Sequence, residues 1–201
     1  MIPPIKTSRF LIFDCETTGL PLTRRFSTDD VDGWPRLVQI AWGVYDGLGN
    51  AEESRSRIIR PEGFEIPAAA TKIHGITHAR AVREGRELTE VLREFLDAME
   101  RSNGVLVAHN LDFDFGVVGA ELVRMRMPLG FLEKRGICTM KSTTDLLQLP
   151  RPSGFGFKWP ALEELHAWVF GSSYLGAHDA ANDLEACARC FFKLLRSGHY
   201  K

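Results

Sequence analysis

The chain has 201 residues, which is enough to bury a full hydrophobic core and fits a single domain over 1–201. Apolar residues make up 44% and charged residues 25%, values that exclude a disordered chain. A formal net charge of −1 excludes a generally basic, nucleic-acid-coating protein, so any nucleic acid must be held by local positive patches or bound metal ions.

The opening MIPPIKTSRF lacks the apolar core of a signal peptide, and no run approaches the roughly 20 apolar residues of a membrane span. A cytoplasmic protein without a membrane partner is therefore expected. Arg9 to Cys15 is nearly continuous in apolar residues and predicts a strand buried on both faces, closed by a turn at Thr17, Thr18 and Gly19. Leu20 to Pro35 is polar, carries Pro21, Gly33 and Pro35, and predicts a long loop. Leu37 to Asp46 predicts a second strand, Gly47 to Asn50 a hairpin turn, and Ser54 to Arg60 a third strand stopped by Pro61. Short turns between these strands imply an antiparallel three-strand meander.

The periodicity then changes. Pro67 to Lys72 and Ala79 to Glu84 predict short helices, and Leu88, Val91, Leu92, Phe95, Leu96 and Met99 fall at helical spacing. Gly104 to Ala108 predicts a buried strand and Phe113 to Met125 a helix. Gly136 to Thr139 predicts a strand, and Thr144 to Leu149, Trp159 to Phe170 and Ala180 to Leu195 predict helices. The pattern is that of one α/β domain with a mixed sheet.

The arginines fall in small groups: Arg24 with Arg25, Arg55 with Arg57 and Arg60, and Arg80 with Arg83 and Arg86. Each is read first as solvated surface. Cys15 and Cys138 lie in strand-like stretches and Cys187 and Cys190 on the last helix. No second CxxC pair exists for zinc, so buried free thiols are expected.

Three segments carry candidate chemistry. Asp14 and Glu16, two apart on a strand, point to one face. Two adjacent carboxylates are costly to bury unless a cation lies between them, and their hard oxygens suit Mg²⁺ or Mn²⁺. The bland alternative is a solvated strand end. His109 to Asp114 follows a buried strand and opens a helix, with Asn110 as an N-cap candidate. Asp112 and Asp114 both suit the positive helix start, but residues two apart on a helix differ by about 200°, so only one can face a given site. His178 precedes the last helix and Asp183 lies one turn inside it. A histidine in that place can take a proton from water, whereas the bland reading makes Asp179 or Asn182 a helix cap and His178 a surface residue.

Taken in order and spacing, the three segments resemble the DnaQ-like 3′-5′ exonucleases of the DEDDh class. The family's DxE-TTGL motif is matched by Asp14 through Leu20, its HNxxFD by His109 through Asp114, and its HxAxxD by His178 through Asp183. Weaker matches are Val38 to Ala41 and Ile73 to Thr77. The likeness spans roughly residues 9 to 195; the long loop from Leu20 to Pro35 departs from the shortest members.

The resemblance implies a ribonuclease H-like fold and two divalent metal ions, Mg²⁺ or Mn²⁺, held by Asp14, Glu16, Asp114 and Asp183. It selects Asp114 over Asp112 and makes His178 the general base. The catalytic set is thus His178, Asp14, Glu16, Asp114 and Asp183. Substrate contacts are expected at Thr17, Thr18, Gly19, Leu20, His74, Asn110 and Phe113. The implied substrate is a nucleic-acid 3′ end, DNA favoured over RNA, with a DNA polymerase or repair protein as a candidate partner. The alternatives are an RNA-trimming exoribonuclease of the same superfamily and a non-catalytic nucleic-acid-binding protein.

Overall fold

The computed structural model describes residues 8–23, 25–134 and 136–200. Arg24 and the first seven residues, on which part of the N-terminal reading rests, lie outside them. Five strands form one sheet in the order β3-β2-β1-β4-β5. They are β1 (Arg9–Thr17), β2 (Leu37–Asp46), β3 (Ala51–Ile58), β4 (Val105–Ala108) and β5 (Gly136–Cys138). The first three form the expected antiparallel meander, and β4 and β5 run parallel to β1. The mixed sheet and its flanking helices are the anticipated ribonuclease H-like arrangement.

The helices are α1 (Ala68–His74), α2 (His78–Glu84), α3 (Leu88–Ser102), α4 (Leu111–Arg124), α5 (Thr139–Leu147), α6 (Leu162–Phe170) and α7 (Ala180–Arg196). A 3₁₀ turn at Gly130–Glu133 has no counterpart in the sequence reading. Among the described residues no helix is long and apolar enough to cross a membrane.

Several bounds move, each for a physical reason. β1 runs two residues past Cys15 because β2 continues to pair with it, Glu16 facing Gln39. β3 begins at Ala51, directly after the hairpin turn that Asp46 ties down by accepting the Leu48 and Asn50 N–H groups. α5 starts at Thr139 rather than Thr144, since Met140, Thr143 and Leu147 bury one face from the end of β5 onward. α6 starts at Leu162 rather than Trp159. Trp159 precedes a proline and is held out of the helical region.

β1 is the spine, and its period-two alternation separates two cores. Leu11, Phe13 and Cys15 face α3 and α4, whose Val91, Leu92, Phe95, Val117 and Val118 cover them. Phe10 and Ile12 face α7, where Leu184, Cys187 and Phe191 pack, with Phe10 and Phe191 in an edge contact at 4.9 Å. Cys15, Cys187 and Cys190 are buried free thiols as expected, but Cys138 is only half-buried, at the junction of β5 and α5.

The arginine groups are less free than solvated surface implies. Arg57 and Arg86 both reach Glu94, at 3.0 and 2.7 Å, and Arg80 and Arg83 share Glu84. The loop after β1 is also fixed. Phe26 and Trp34 lie on α4, where Gly116 and Gly119 leave room: a Cβ on Gly116 would stand 2.1 Å from the Trp34 ring. Below them Glu121, fully buried, accepts from Arg36 Nε at 2.8 Å and from the Leu37 N–H at 2.9 Å. Glu121→Ala strands a guanidinium and an N–H in the interior. It is expected to cost about 3–5 kcal/mol, while Glu121→Gln, which keeps an acceptor, costs less. Urea unfolding midpoints measure both, and a wild-type midpoint for the alanine variant rules out the anchor.

Candidate active site

The site forms where β1 outlasts its neighbour. Pairing between β1 and β4 ends at Ile12 and Val107, and β4 itself ends at Ala108, whereas β1 continues to Thr17. Asp14 and Glu16 extend the Phe10–Ile12 face of the strand, so they emerge beside the N-terminus of α7. Asp183, in the first turn of that helix, meets them there. Asp114 comes from α4, against the other face, and reaches around the end of β4. Its Oδ1 accepts the Cys15 N–H at 2.9 Å.

Asn110 makes this turn possible. It adopts a left-handed conformation (φ 69°, ψ 47°) between strand and helix, which asparagine tolerates better than most residues. It occupies the expected N-cap position but makes no side-chain cap bond. Asp112 faces outward and pairs with Lys141, so Asp114 is the inward acid. His109 is held between Thr139 Oγ1 and the Pro160 carbonyl, both at 3.0 Å, and burial lowers its pKa to about 4.

Asp179, not Asn182, caps α7, accepting from the Ala181 N–H at 3.0 Å. His178, just before it, is exposed and has φ 66°, a region rare for non-glycine residues and found at functional sites. Its backbone N–H donates to Asp183 Oδ2 at 3.1 Å, and Tyr174 Oη donates to Asp183 Oδ1 at 2.6 Å.

The four carboxylates stand without a protein counter-ion: no arginine or lysine among the described residues pairs with any of them. Burial, then the Asp114, Asp183 and Glu16 charges, hold the Asp14 carboxyl well above its ordinary range. Burial likewise raises Asp114 against the opposing Cys15 N–H bond, and raises Asp183 against the Tyr174 and His178 bonds. Burial and the Asp183 charge push Glu16 up to about 7. An all-oxygen donor set with unrelieved repulsion fits hard divalent cations. Glu16, His178 and Asp183 each also present a donor atom within 4.8 Å of the other two.

The four acids, His178, Leu20, Asn110 and Phe113 line one cleft of about 330 Å³. Thr17, Thr18, Gly19 and His74 are not among its lining residues. Thr17 Oγ1 donates to the Gly19 carbonyl at 2.7 Å and Thr18 Oγ1 accepts the Arg36 N–H at 2.9 Å, so the turn is braced beside the cleft. His74 is buried rather than presented for stacking. Its Nδ1 accepts the Ile76 N–H at 3.1 Å, and burial lowers its pKa against the pull of the Thr17 carbonyl.

Tyr174 and Glu163, which also line the cleft, have no motif to announce them. Gln39 does carry a signal, as a lone polar residue in an apolar strand. Its Oε1 accepts the Ala180 N–H at 3.2 Å and its Nε2 donates to Ser56 Oγ at 3.1 Å, fastening the start of α7 to the sheet.

A ribonuclease H-like sheet with acids gathered at the end of its central strand defines a nuclease class. Residues 11–191 match the family model described as exonuclease (RNase_T), and the chain belongs to that family, in its DnaQ-like DEDDh class. The DNA polymerase III subunit epsilon-like protein of Rhodobacter capsulatus is 40% identical over 112 residues, 55% of this chain and 14% of that protein. The PolC-type DNA polymerase III of Streptococcus thermophilus is 29% identical over 192 residues, 96% of this chain and 11% of that protein. The chain thus spans about a tenth to a seventh of the length of these relatives. Escherichia coli exonuclease I, solved in complex with a dA16 oligonucleotide, superposes with a TM-score of 0.76 at 18% identity, covering 94% of this chain and 41% of the other. At that identity the likeness concerns the fold.

The raised carboxyl pKa values set a pH-dependent strain on the metal-free protein. A carboxyl whose folded pKa exceeds its unfolded value, about 4 for Asp and Glu, stabilises the fold while protonated. That contribution is lost as the pH rises through the folded value. Asp14→Asn removes one repelling charge. It is expected to unfold above wild type at pH 8 in chelator, by about 2–4 °C for each kcal/mol relieved. The gap shrinks toward pH 4, and Mn²⁺ raises the wild type in preference to the variant. A gap that does not change with pH counts against the repulsion.

Proposed function

We propose that the chain removes nucleotides from the 3′ end of a DNA strand by metal-assisted hydrolysis, releasing nucleoside monophosphates. The observation that carries this reading is the set of four carboxylates in one cleft beside an exposed histidine, Asp114 and Asp183 buried, Asp14 and Glu16 partly buried, none neutralised by a described arginine or lysine. DNA as the substrate is supported by the polymerase relatives and by the oligonucleotide bound to the exonuclease I neighbour. A DNA polymerase is the partner chemistry those relatives suggest.

Two divalent cations, Mg²⁺ or Mn²⁺, held by Asp14, Glu16, Asp114 and Asp183, would supply charge neutralisation at the attacked phosphate and the leaving oxygen. Asp14, on the spine of the sheet, would contribute its carboxylate to holding the cations. Tyr174 and the His178 N–H fix both oxygens of Asp183, so its carboxylate is oriented before any ligand arrives. The Cys15 N–H holds one oxygen of Asp114, Oδ1. The His178 side chain, at the open mouth of the cleft, takes the proton from the attacking water. Leu20 and Phe113 offer apolar surface against the terminal bases, contacts that tolerate any sequence. The braced turn at Thr17, Thr18 and Gly19, backed by His74, forms the wall for the terminal nucleotide.

End-labelled DNA and RNA, single- and double-stranded, incubated with Mg²⁺, Mn²⁺ or a chelator, test the reading. A ladder shortened from the 3′ end of DNA is expected with metal and none with chelator. Internal cuts in a closed circle, or RNA degraded in preference, refute the corresponding part. Asp114→Asn is expected to abolish hydrolysis and keep DNA binding. His178→Ala is expected to lower turnover about 10²–10⁴-fold while Mn²⁺ still binds; wild-type turnover in that variant removes His178 from the general-base role.

A further inference from the structure

The cleft contains a second donor set whose composition differs from that of the acids alone. Glu16, His178 and Asp183 place one nitrogen and two oxygens within 4.8 Å of one another, and neither Asp14 nor Asp114 belongs to that group. Zinc binds imidazole and carboxylate donors at about 2.0–2.2 Å, so its tetrahedral ligands stand ~3.4 Å apart. Separations of at most 4.8 Å exceed that spacing by no more than ~1.4 Å. The His178 ring is free to turn: it is exposed, and no described protein group hydrogen-bonds it. Of the two acids, Asp183 is the better fixed. Asp183 is buried and carries the Tyr174 hydroxyl on Oδ1, the kind of outer bond that orients a carboxylate ligand.

Donor chemistry separates the candidate ions. Mg²⁺ is hard, demands octahedral oxygen ligands and keeps several waters, so an imidazole adds little for it. Zn²⁺ accepts four ligands, takes imidazole readily and stands above Mn²⁺ in affinity for nitrogen–oxygen sites. Three protein ligands leave its fourth position to water.

We propose that Glu16, His178 and Asp183 form an inhibitory Zn²⁺ site at the mouth of the cleft. One zinc ion there withdraws two of the carboxylates the hydrolysis uses and occupies the nitrogen that removes the proton from water. Zinc binding stands on the geometry alone; the inhibition rests on the proposed function.

Zinc affinity is measured on the full chain by competition with a fluorescent chelator, in wild type, His178→Ala and Asp14→Asn. Manganese affinity is read from the electron paramagnetic resonance signal of the free ion. His178→Ala is expected to weaken zinc binding about 100-fold or more, the loss of a direct ligand costing at least as much as the loss of an outer one. It leaves manganese binding nearly unchanged. Asp14→Asn keeps zinc. Co²⁺ in the wild type gives the intense visible absorption of a low-coordinate ion, and His178→Ala loses it. Equal zinc affinity in wild type and His178→Ala, with both proteins showing native thermal unfolding, overturns the site. In the nuclease assay, micromolar zinc added over millimolar Mg²⁺ stops the wild type, and a matched amount of chelator restores it. Hydrolysis that continues with zinc bound overturns the inhibition. Zinc bound through His178 in a protein that cleaves nothing under Mg²⁺ or Mn²⁺ supports the site and removes the nuclease reading instead.

Discussion

Mutual repulsion among Asp14, Glu16, Asp114 and Asp183 is the constraint around which the molecule is organised. Like charges held in a low-dielectric cleft are costly, and proteins ordinarily relieve them with an arginine or lysine. This chain does so elsewhere: Glu121, fully buried, has Arg36 and Arg124. At the cleft the donors among the described residues are neutral, namely the Cys15 N–H, the His178 N–H and the Tyr174 hydroxyl. Neutral dipoles fix the direction of a carboxylate without cancelling its charge. The charge is therefore left for something that arrives from solvent, and a folded state that tolerates it must draw its stability from the two cores on either side of β1.

The geometry depends on a mismatch of strand lengths. Asp14 and Glu16 lie on the α7 face of the sheet, whereas Asp114 rises from a helix on the opposite face. Residues on opposite faces meet only where the sheet stops. β4 stops at Ala108, β1 continues, and the left-handed Asn110 turns the chain back so that α4 starts within reach of the Cys15 N–H. Had β4 paired two residues further, that N–H would belong to the ladder and Asp114 would be walled off from Asp14. The carboxyl ends of parallel strands favour ligand sites in open α/β sheets for the same reason: the backbone ends there and the helices begin.

Much of this was legible in the sequence. The spine showed itself as an unbroken apolar run, β2 was delimited at both ends by its composition, and α7 by its 3.6-residue period. The acids were legible as candidates by type and spacing, although the choice between Asp112 and Asp114 needed the family motif, because both suit a helix start. Other features depend on partners distant in the chain. β1 gains Glu16 and Thr17 only because Gln39 and Leu37 lie opposite. Nothing local marks Thr139 as the start of α5; its burial beneath β4 and α7 does. Tyr174 sits in a glycine- and serine-rich stretch that predicts only a turn, and its value comes from Asp183, nine residues away. His74 shows the reverse. A histidine in a family-like segment suggests a ligand contact, and the fold buries its ring against the Thr17 backbone.

The net charge of −1 then acquires a physical meaning. A strand of DNA is a polyanion, and the cleft that would receive it is lined by acids. Much of the grouped arginine charge that could have offset this is committed: Arg57, Arg80, Arg83 and Arg86 hold glutamates on α2 and α3. On the proposed reading, attraction for the substrate must come from the same divalent ions that assist the chemistry, with apolar contacts at Leu20 and Phe113 adding a part that does not depend on charge. Binding and hydrolysis are then linked through one set of ligands. Any ion that reorganises Glu16 and Asp183 then alters both properties together.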